Sequence, residues 1–281
     1  MSNWYSNNKN FKNISLEDRG LLYGDGLFET IAIRDGKLRL WEYHLSRLIR
    51  GCEVLSLKTP SKKYLHDKVM NAFHESKLEQ SSAIAKIIIT AGKSKRGYGR
   101  NKNTVPSEFF SIYPAIKIRE SDYKNGIELT LCKTRLAVNS ITAGLKTLNR
   151  LEQVLAKIEF EGTHFFEGLT MDSEDNIICG TMSNIFFIKG EGLYTPCLKR
   201  CGVKGVMRKH LLVSLKKANI DVNIQPIKIT DMEYFDEIFI TNSQFGILPV
   251  NQCNEIKWNS SKKTQKIMSI MALNNIIECS L

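Results

Sequence analysis

The sequence has no long apolar run, and no stretch approaches the roughly 20 apolar residues that a membrane-spanning helix needs. Its first five residues, Met1–Tyr5, are polar where a secretory signal would carry an apolar segment. Internal repeats and low-complexity segments are also absent. We therefore expect a cytoplasmic globular protein with no membrane partner, and 281 residues can form one large domain or two modest ones.

Cysteine occurs seven times, an odd number, and the residues are scattered along the chain. A disulfide framework is typical of short secreted chains with an even set of cysteines. The closest pair, Cys197 and Cys201, has no further Cys or His at the spacing of a zinc site. We expect reduced thiols and no bound metal.

The chain has few acidic residues for its basic ones: 40 Lys and Arg stand against 29 Asp and Glu, a net charge of +11. Such an excess can serve nucleic-acid binding or attract small anions into a basic cleft. The positive residues are dispersed, and no basic motif is interleaved with aromatic residues. The pattern favours solvated basic faces, and we predict no nucleic-acid partner.

The first part of the chain has the pattern of a mixed α/β domain. Leu27–Arg34 alternates apolar and polar residues as a half-buried strand does, and it ends at the turn pair Asp35–Gly36. Apolar residues at helical spacing follow in Trp41–Leu55, which places His44 and Arg47 one helical turn apart. The remaining predicted elements here are a helix over about Lys62–His74 and strands over Ala83–Thr90 and Phe109–Tyr113.

A polar stretch after Pro114 is typical of a linker. We therefore predict a smaller N-terminal α/β domain of residues 1–116, a linker of residues 117–125 and a larger C-terminal domain of residues 126–281 that carries Lys146. In the larger domain short strands follow one another as a meander, unlike the alternation of a Rossmann fold. Its predicted strands are Ile127–Leu131, Leu169–Asp172, Ile177–Cys179, Asn184–Ile188, Gly192–Tyr194, Val222–Ile227 and Glu237–Thr241, with helices after Lys146, over about Met207–Ala218 and within Ser260–Ile277.

Three segments carry residue types suited to chemistry. Lys146 lies between a glycine-containing loop and an amphipathic helix, and a poorly solvated lysine is partly neutral and nucleophilic. Gly202 and Gly205 lead into a predicted helix, whose free N–H groups suit a phosphate. Arg47 is a natural bidentate phosphate ligand. Each pattern is also common on ordinary protein surfaces, so none identifies an enzyme alone.

The order of these segments resembles the class IV (fold type IV) enzymes that depend on pyridoxal 5′-phosphate (PLP). This group includes branched-chain and D-amino-acid aminotransferases and aminodeoxychorismate lyase. The order and spacing of the motifs hold over essentially the whole chain. In chain order the motifs are Asp18–Gly20, Tyr23–Thr30, His44–Leu48, Lys146 with its flank, Ser183–Phe186 and Gly205–Arg208.

Within the group, three stretches are similar to aminodeoxychorismate lyase: Leu145–Leu155, Tyr194–Pro196 with the following 202–208, and Arg96–Tyr98. This resemblance implies elimination of pyruvate from 4-amino-4-deoxychorismate, which gives 4-aminobenzoate for folate biosynthesis. Two alternatives stay open. One is an aminotransferase of the same fold acting on D- or branched-chain amino acids, and the other is a catalytically silent, basic binding protein.

The resemblance also implies roles for individual residues, in a two-domain fold like that of D-amino-acid aminotransferase. Lys146 would hold PLP as a Schiff base and move the proton, and the cofactor would lie at the domain interface of a homodimer. The other implied cofactor-binding residues are Arg47, Cys179, Gly205, Val206, Met207 and Asn242. The implied substrate contacts are Phe28, Arg96 and Tyr98, with Lys93 and Lys95 as further candidates for binding carboxylates.

The sequence departs from the group at one position that bears on mechanism. A glutamate normally faces the pyridine nitrogen of PLP, and this position aligns with Cys179, whereas the nearby Glu174 belongs to a turn. A carboxylate keeps that nitrogen protonated and makes the ring a strong electron sink. We hypothesise that the thiol weakens the sink and suppresses transamination, while elimination, which makes an aromatic product, is retained. A tolerated packing substitution and loss of activity are the alternatives.

Overall fold

Apolar side chains that alternate along the first part of the chain form one face of an antiparallel sheet in the computed structural model, which describes residues 4–6, 9–10, 13–78, 82–101 and 104–280. The polar start of the chain, Met1–Asn3, lies outside these residues. The six strands lie in the order β2-β1-β6-β5-β3-β4, where the labels follow the chain. They are β1 (Trp4–Ser6), β2 (Lys9–Asn10), β3 (Gly26–Arg34), β4 (Lys37–Leu38), β5 (Ala83–Thr90) and β6 (Ser107–Pro114).

Three helices accompany this first sheet: α1 (Arg19–Tyr23), α2 (Trp41–Val54) and α3 (Lys62–Glu75). Strands β3 and β5 pair in continuous register from Gly26 opposite Thr90 to Ile33 opposite Ala83. Helices α2 and α3 bury their apolar stripes against the sheet, because leaving such a stripe in water would be unfavourable. The resulting core includes Leu27, Ile31, Leu45, Leu48, Leu65, Phe73 and Ile87.

The second sheet has nine strands and mixes parallel and antiparallel pairs. Eight of them lie in the order β12-β11-β10-β13-β14-β7-β8-β9, and β15 pairs with β14. The strands are β7 (Ile127–Arg135), β8 (Glu167–Met171), β9 (Ile177–Gly180), β10 (Asn184–Lys189), β11 (Gly192–Pro196), β12 (Val222–Gln225), β13 (Glu237–Asn242), β14 (Gly246–Cys253) and β15 (Ile256–Lys257). The accompanying helices are α4 (Glu120–Asn125), α5 (Leu151–Ile158), α6 (Val206–Lys217) and α7 (Lys262–Leu273), with 3-10 turns at Ile229–Tyr234 and Ile277–Cys279.

The chain divides into two units, one of residues 1–116 with Leu145–Asn149, the other of residues 117–144 with 150–281. The short segment around Lys146 therefore belongs to the first unit, although the sequence places it inside the predicted C-terminal domain. Its backbone pairs with β3, which explains the difference: the N–H of Phe28 donates to the Lys146 carbonyl oxygen at 2.9 Å. Residues 117–125, predicted as a linker, contain helix α4 and are grouped with the second unit.

Strand β14 was not among the predicted strands, and it contains Pro249, a residue that is unfavourable in a central strand. In the structure Pro249 lies opposite Phe239 on β13, and β14 continues on both sides of it. None of the helices within the described residues is both long and apolar enough to cross a bilayer. Over the same residues no cluster of His, Cys, Asp and Glu could hold a metal ion, and the seven cysteines are free thiols.

Candidate active site

Lys146 is held on the first unit as part of a short extension of the sheet. On one side of it Leu145 is buried in the core together with Leu27. On the other side the N–H of Leu148 donates to the carbonyl oxygen of Gly26 at 2.9 Å, and Thr147 forms a bridge with Leu27. The helix predicted directly after Lys146 begins only at Leu151, because residues 145–149 make these sheet contacts instead.

The Lys146 amine lies over an aromatic ring. Its Nζ atom is 4.3 Å from the centroid of the Phe28 ring, and the side chain is half-buried. A second lysine, Lys86 on β5, places its Nζ 5.6 Å from the same centroid. An aromatic face attracts a cation and excludes water on that side. The structure thus brings together two of the residues predicted from the sequence, Lys146 and Phe28.

Arg47, the predicted phosphate ligand, binds a buried glutamate through two hydrogen bonds. Its Nε and Nη2 atoms donate to Oε1 and Oε2 of Glu29 at 2.7 and 2.6 Å. The His44 Nδ1 atom lies 2.7 Å from Oε2 of the same carboxylate. Burial alone would raise the pKa of Glu29, but the Arg47 charge and the hydrogen bonds from Arg47 and His44 lower it to about 2. Glu29 is therefore ionised and fixes the guanidinium plane.

The His44 ring offers one polar atom for an anionic group beside Arg47. Its Nε2 atom is buried and has no hydrogen-bond partner within the described part of the chain. Burial lowers the pKa of His44, and the nearby charges of Arg47 and Lys146 lower it further against the pull of Glu29. An added anion would favour the protonated ring, which could then donate from Nε2. Phosphate binding by Arg47 stays a prediction, with the buried His44 nitrogen as a further candidate donor.

The predicted substrate residues Arg96 and Tyr98 lie on the loop between β5 and β6 and are exposed to solvent. The Tyr98 side chain is 87% exposed, although its ring centroid is only 5.5 Å from that of Tyr23. Lys93 and Lys95 are exposed on the same loop. The loop therefore presents three cationic side chains and one phenol to solvent.

In the second unit, the start of helix α6 has the geometry of an anion site. Gly205 is the residue before the helix, and no side chain of the described residues caps the helix start. The N–H groups of Val206 and Met207 are in the first turn, where an α-helix leaves them without intrahelical partners. Asn184 fixes this turn, because its Oδ1 atom accepts from the Gly205 N–H at 3.0 Å and its Nδ2 atom donates to the Val203 carbonyl at 2.9 Å.

A side chain at position 205 would collide with that asparagine. A Cβ atom there would lie 2.0 Å from the Asn184 Oδ1 atom, so glycine is required for the close approach. The Gly205 N–H is taken up by Asn184, so Gly205 shapes the turn, and Val206 and Met207 remain the predicted backbone ligands of a phosphate.

Cys179 is a buried thiol on β9, 5% exposed. Its Sγ atom lies 3.8 Å from Thr170 Oγ1 and accepts a hydrogen bond from the backbone N–H of Val203. Burial, with the nearby Glu167 charge, raises the pKa of Cys179 to about 11 against the hydrogen bonds from Thr170 and the Val203 N–H and against the Arg150 charge. The thiol is therefore protonated at neutral pH and does not supply the negative charge of a carboxylate. Glu174 lies in an exposed turn and pairs with Arg200, as its predicted turn position implies.

A second buried acid, Glu167 on β8, organises the turn that follows Cys179. Its carboxylate accepts from the backbone N–H of Thr181 and Met182, both at 3.1 Å, and from the hydroxyl groups of Thr181 and Ser183 at 2.6 and 3.0 Å. Burial raises the pKa of Glu167 against these hydrogen bonds. The carboxylate is fully occupied by this turn and positions Asn184, which follows it.

Asn242, the last residue of β13, joins the same network. Its Nδ2 atom donates to the carbonyl oxygen of Met182, and its Oδ1 atom accepts from the Gln244 N–H at 2.7 Å. Through Val203, Asn184 and Met182 the structure thus connects Cys179, Gly205 and Asn242 within the second unit.

The sequence analysis did not identify Glu29 and Glu167 as functional residues. Glu29 carries a usable signal, since it is an acid in a predicted strand followed by a helix that presents His44 and Arg47 on one face.

Comparisons with known proteins agree on one family. Residues 26–253 match the family described as amino-transferase class IV. An aminodeoxychorismate lyase from Vibrio harveyi is 34% identical over 90% of this chain and 94% of its own length. A putative branched-chain-amino-acid aminotransferase from Methanocaldococcus jannaschii is 31% identical over 84% of this chain and 81% of its own.

Among solved structures, 4-amino-4-deoxychorismate lyase from Pseudomonas aeruginosa superposes with a TM-score of 0.90 and 36% identity, over 97% of this chain and 99% of that one. The branched-chain amino acid aminotransferase of Escherichia coli superposes with a TM-score of 0.83 and 21% identity, over 98% and 94%, which shows a shared fold. These matches confirm the predicted fold class and the predicted cofactor. The chain belongs to the class IV aminotransferase family of PLP-dependent enzymes.

Proposed function

We propose that this protein is a 4-amino-4-deoxychorismate lyase that releases pyruvate and 4-aminobenzoate. The observation that carries this proposal is the similarity to two lyases of that name, at 34% and 36% identity over nearly the whole chain. The local geometry supports it, because Lys146 lies over the Phe28 ring and the start of α6 is open to a phosphate.

When bound, PLP supplies an aldehyde for the substrate amine and an electron sink for the carbon next to that amine. On the first unit, we propose that Lys146 holds the cofactor. We propose that Arg47 binds the cofactor phosphate through its guanidinium group, whose plane is fixed by the two hydrogen bonds to Glu29. On the second unit, the N–H groups of Val206 and Met207 are proposed to bind the phosphate.

Lys146 is also the proposed general base. With its Nζ atom free, Lys146 would take the proton from the amine-bearing ring carbon of the substrate. The electron pair of that C–H bond then expels the neighbouring enolpyruvyl oxygen, the C–O bond breaks and the ring becomes aromatic. The proton taken by Lys146 would be returned to the methylene carbon of the released enolpyruvate, which thereby becomes pyruvate. The substrate has two carboxylates, and the exposed Arg96, Lys95 and Lys93 are proposed to bind them.

The direct test is to incubate the purified PLP-loaded protein with 4-amino-4-deoxychorismate. We expect 4-aminobenzoate and pyruvate in equal amounts, since one elimination yields one of each. Fluorescence of the aromatic product and a lactate dehydrogenase assay for pyruvate measure both. Protein that binds PLP but releases neither product would contradict the proposal.

An aminotransferase is the second candidate, favoured by the 31% identity to a putative branched-chain enzyme. The buried, protonated Cys179 argues against it, because a neutral thiol does not hold a proton on the pyridine nitrogen as a carboxylate does. On this proposal Cys179 weakens the electron sink that transamination requires and leaves elimination possible. An aminotransferase would convert its cofactor to the pyridoxamine form when given an amino-acid donor.

Replacing Cys179 by glutamate tests that idea. We expect C179E to gain conversion of PLP to pyridoxamine phosphate with D-alanine or leucine, by about tenfold or more over the wild type, since a protonated nitrogen strengthens the sink. C179S is the matched control, because it is equally small and neutral, and should gain nothing. An increase in lyase turnover alone, without pyridoxamine formation in C179E, would show that this position does not set reaction specificity.

We further infer that the protein is a homodimer in the cytoplasm. Helix α5 exposes an apolar stripe at helical spacing, formed by Leu151, Val154, Leu155 and Ile158, whose exposed fractions range from 47% to 70%. Such a stripe is unfavourable in water and is suited to burial against a second copy of the chain. The seven free thiols are consistent with a reducing compartment.

A further inference from the structure

A buried arginine at the start of α1 holds the loop that carries Arg96 and Tyr98. The Arg19 side chain is almost fully buried, and its Nη2 atom donates to the Tyr98 carbonyl oxygen at 2.8 Å. Its Nη1 atom donates to the Gly97 and Gly99 carbonyl oxygens at 3.0 and 3.3 Å. Three successive carbonyl groups of one loop thus converge on a single guanidinium.

The two ends of the loop are joined to the same anchor. At the first end of the loop, Nη1 of Arg19 also donates to Ser94 Oγ at 2.9 Å. At the second end, Nε of Arg100 donates to Asp25 Oδ2 at 2.9 Å, and Nε of Arg19 donates to the same oxygen at 2.8 Å. Burial raises the pKa of Asp25, but the hydrogen bonds and charges of Arg100 and Arg19 lower it below its ordinary value. An ionised Asp25 therefore connects both arginines.

This anchor fixes the backbone and leaves the side chains outside. Gly97 has a φ of +104°, a conformation that suits glycine and lets its carbonyl turn towards Arg19. With the carbonyl groups directed at the buried guanidinium, the side chains of Arg96 and Tyr98 are exposed. A loop with two glycines within three residues would otherwise sample many conformations and would lose that freedom when a substrate binds.

We propose that Arg19 is a positioning residue for substrate binding: it preorganises the Ser94–Arg100 loop so that Arg96 and Tyr98 meet a carboxylate-bearing substrate without a further ordering cost. This inference rests on the proposed function, because it assigns that loop to the substrate carboxylates. Arg19 does not touch the substrate itself. Its loss therefore weakens substrate binding much more than it slows the chemical step.

The test compares R19K holoenzyme with the wild type, by kinetics and by trypsin. Lysine cannot reach three carbonyl groups in one plane, so we expect KM for 4-amino-4-deoxychorismate to rise about tenfold and kcat to change less than about threefold. The Ser94–Arg100 loop contains Lys95, Arg96 and Arg100 as tryptic sites, and Lys93 directly precedes it. R19K neither removes nor adds a tryptic site, because trypsin cleaves after lysine and after arginine. Cleavage within the loop should accelerate about tenfold, because a released loop opens more often.

Two further variants keep the result interpretable. R34K is the matched control, since Nη1 of Arg34 donates to the Ile33 and Ala83 carbonyl groups away from the loop, and it should change neither readout. S94A removes one loop contact of Arg19. It should raise KM and accelerate loop cleavage by smaller factors than R19K does, and it provides the test if R19K does not fold.

The outcomes separate the two proposals. Faster loop cleavage with an unchanged KM would overturn the positioning role, and so would a raised KM with unchanged cleavage. If the wild type itself shows no lyase turnover, the proposed function fails, while unchanged loop cleavage in R19K and S94A would independently show that Arg19 does not hold the loop.

Discussion

Replacing Lys146 by alanine is expected to abolish lyase turnover, with a loss of at least about a thousandfold in kcat. The variant loses both the amine that holds PLP and the base that takes the proton from the substrate. It should also lose the visible absorbance of the lysine-bound cofactor while remaining folded, because the side chain is half-buried and its backbone, not its amine, pairs with β3. Absorbance after gel filtration and release of 4-aminobenzoate are the two measurements.

Lys86 provides a matched control for this prediction. Its amine lies over the same Phe28 ring, at 5.6 Å from the centroid against 4.3 Å for Lys146. K86A should keep both the absorbance and the turnover. If K146A retains the cofactor absorbance after gel filtration and K86A loses it, the assignment of Lys146 is wrong and the neighbouring lysine is the attachment point.

Among the ionised residues of the first unit, Glu29 is the one whose neutralisation we expect to lower the free energy of unfolding most. The carboxylate is buried, with 1% of its side chain exposed, and it binds the guanidinium of Arg47 through two hydrogen bonds. E29Q would leave the largely buried Arg47 charge uncompensated, and breaking a buried ion pair in this way destabilises by about 3 kcal/mol. Denaturant unfolding of the cofactor-free protein followed by circular dichroism measures the change.

The ion pair of Glu42 and Lys62, on the surface of the first unit, provides the control for the buried pair. Their charged atoms are 3.8 Å apart, and both side chains are more than half exposed. E42Q should change the free energy of unfolding by less than about 0.5 kcal/mol. An E29Q variant as stable as E42Q would show that Arg47 does not depend on Glu29, and it would undermine the description of that carboxylate as the support of the phosphate ligand.

The buried groups Glu29 and His44 make the free energy of unfolding depend on pH. Glu29 has a pKa of about 2 in the folded protein against an ordinary value of 4.5, so the unfolded chain binds its proton first as the pH falls. The contribution of Glu29 is therefore complete above about pH 4.5 and is lost towards pH 2. Burial lowers the pKa of His44 from its ordinary 6.5, and this effect also reduces stability as the pH falls below 6.5. Between about pH 4.5 and pH 2, the free energy of unfolding should therefore decrease less in E29Q than in the wild type.

The strands and helices with strong periodicity were predictable from the sequence. The β-branched run Ala83–Thr90 has the predicted bounds in the structure, and the helix predicted over Trp41–Leu55 ends one residue earlier. These segments agree because local propensity and burial favour the same conformation. Strand β14 was not predicted, and it contains Pro249, which local rules place outside central strands, although its pairing with β13 continues through that residue.

The sequence proposed candidate site residues where a motif carries its own chemistry. The glycines before α6 and the side chain of Arg47 predicted phosphate binding, which stays a prediction. Among the described residues, the start of α6 has no side-chain cap and the His44 Nε2 atom has no hydrogen-bond partner. The partners of these groups were not predicted: Glu29 lies 18 residues from Arg47, and Asn184 lies 21 residues from Gly205. Glu29 carries a signal that was not used, whereas the pairing of Asn184 with Gly205 has no local signature.

The sequence by itself determined the family, and it proposed Lys146 as the cofactor lysine and Cys179 as a departure from the family, since these inferences depend on residue identity and order along the chain. Only the tertiary structure decided that Lys146 is held on the first unit by β3, that the Cys179 thiol is buried and protonated, and that Arg19 gathers the carbonyl groups of the Ser94–Arg100 loop. Backbone pairing, desolvation and long-range hydrogen bonds arise between segments distant in the chain, so they exist only once the chain has folded.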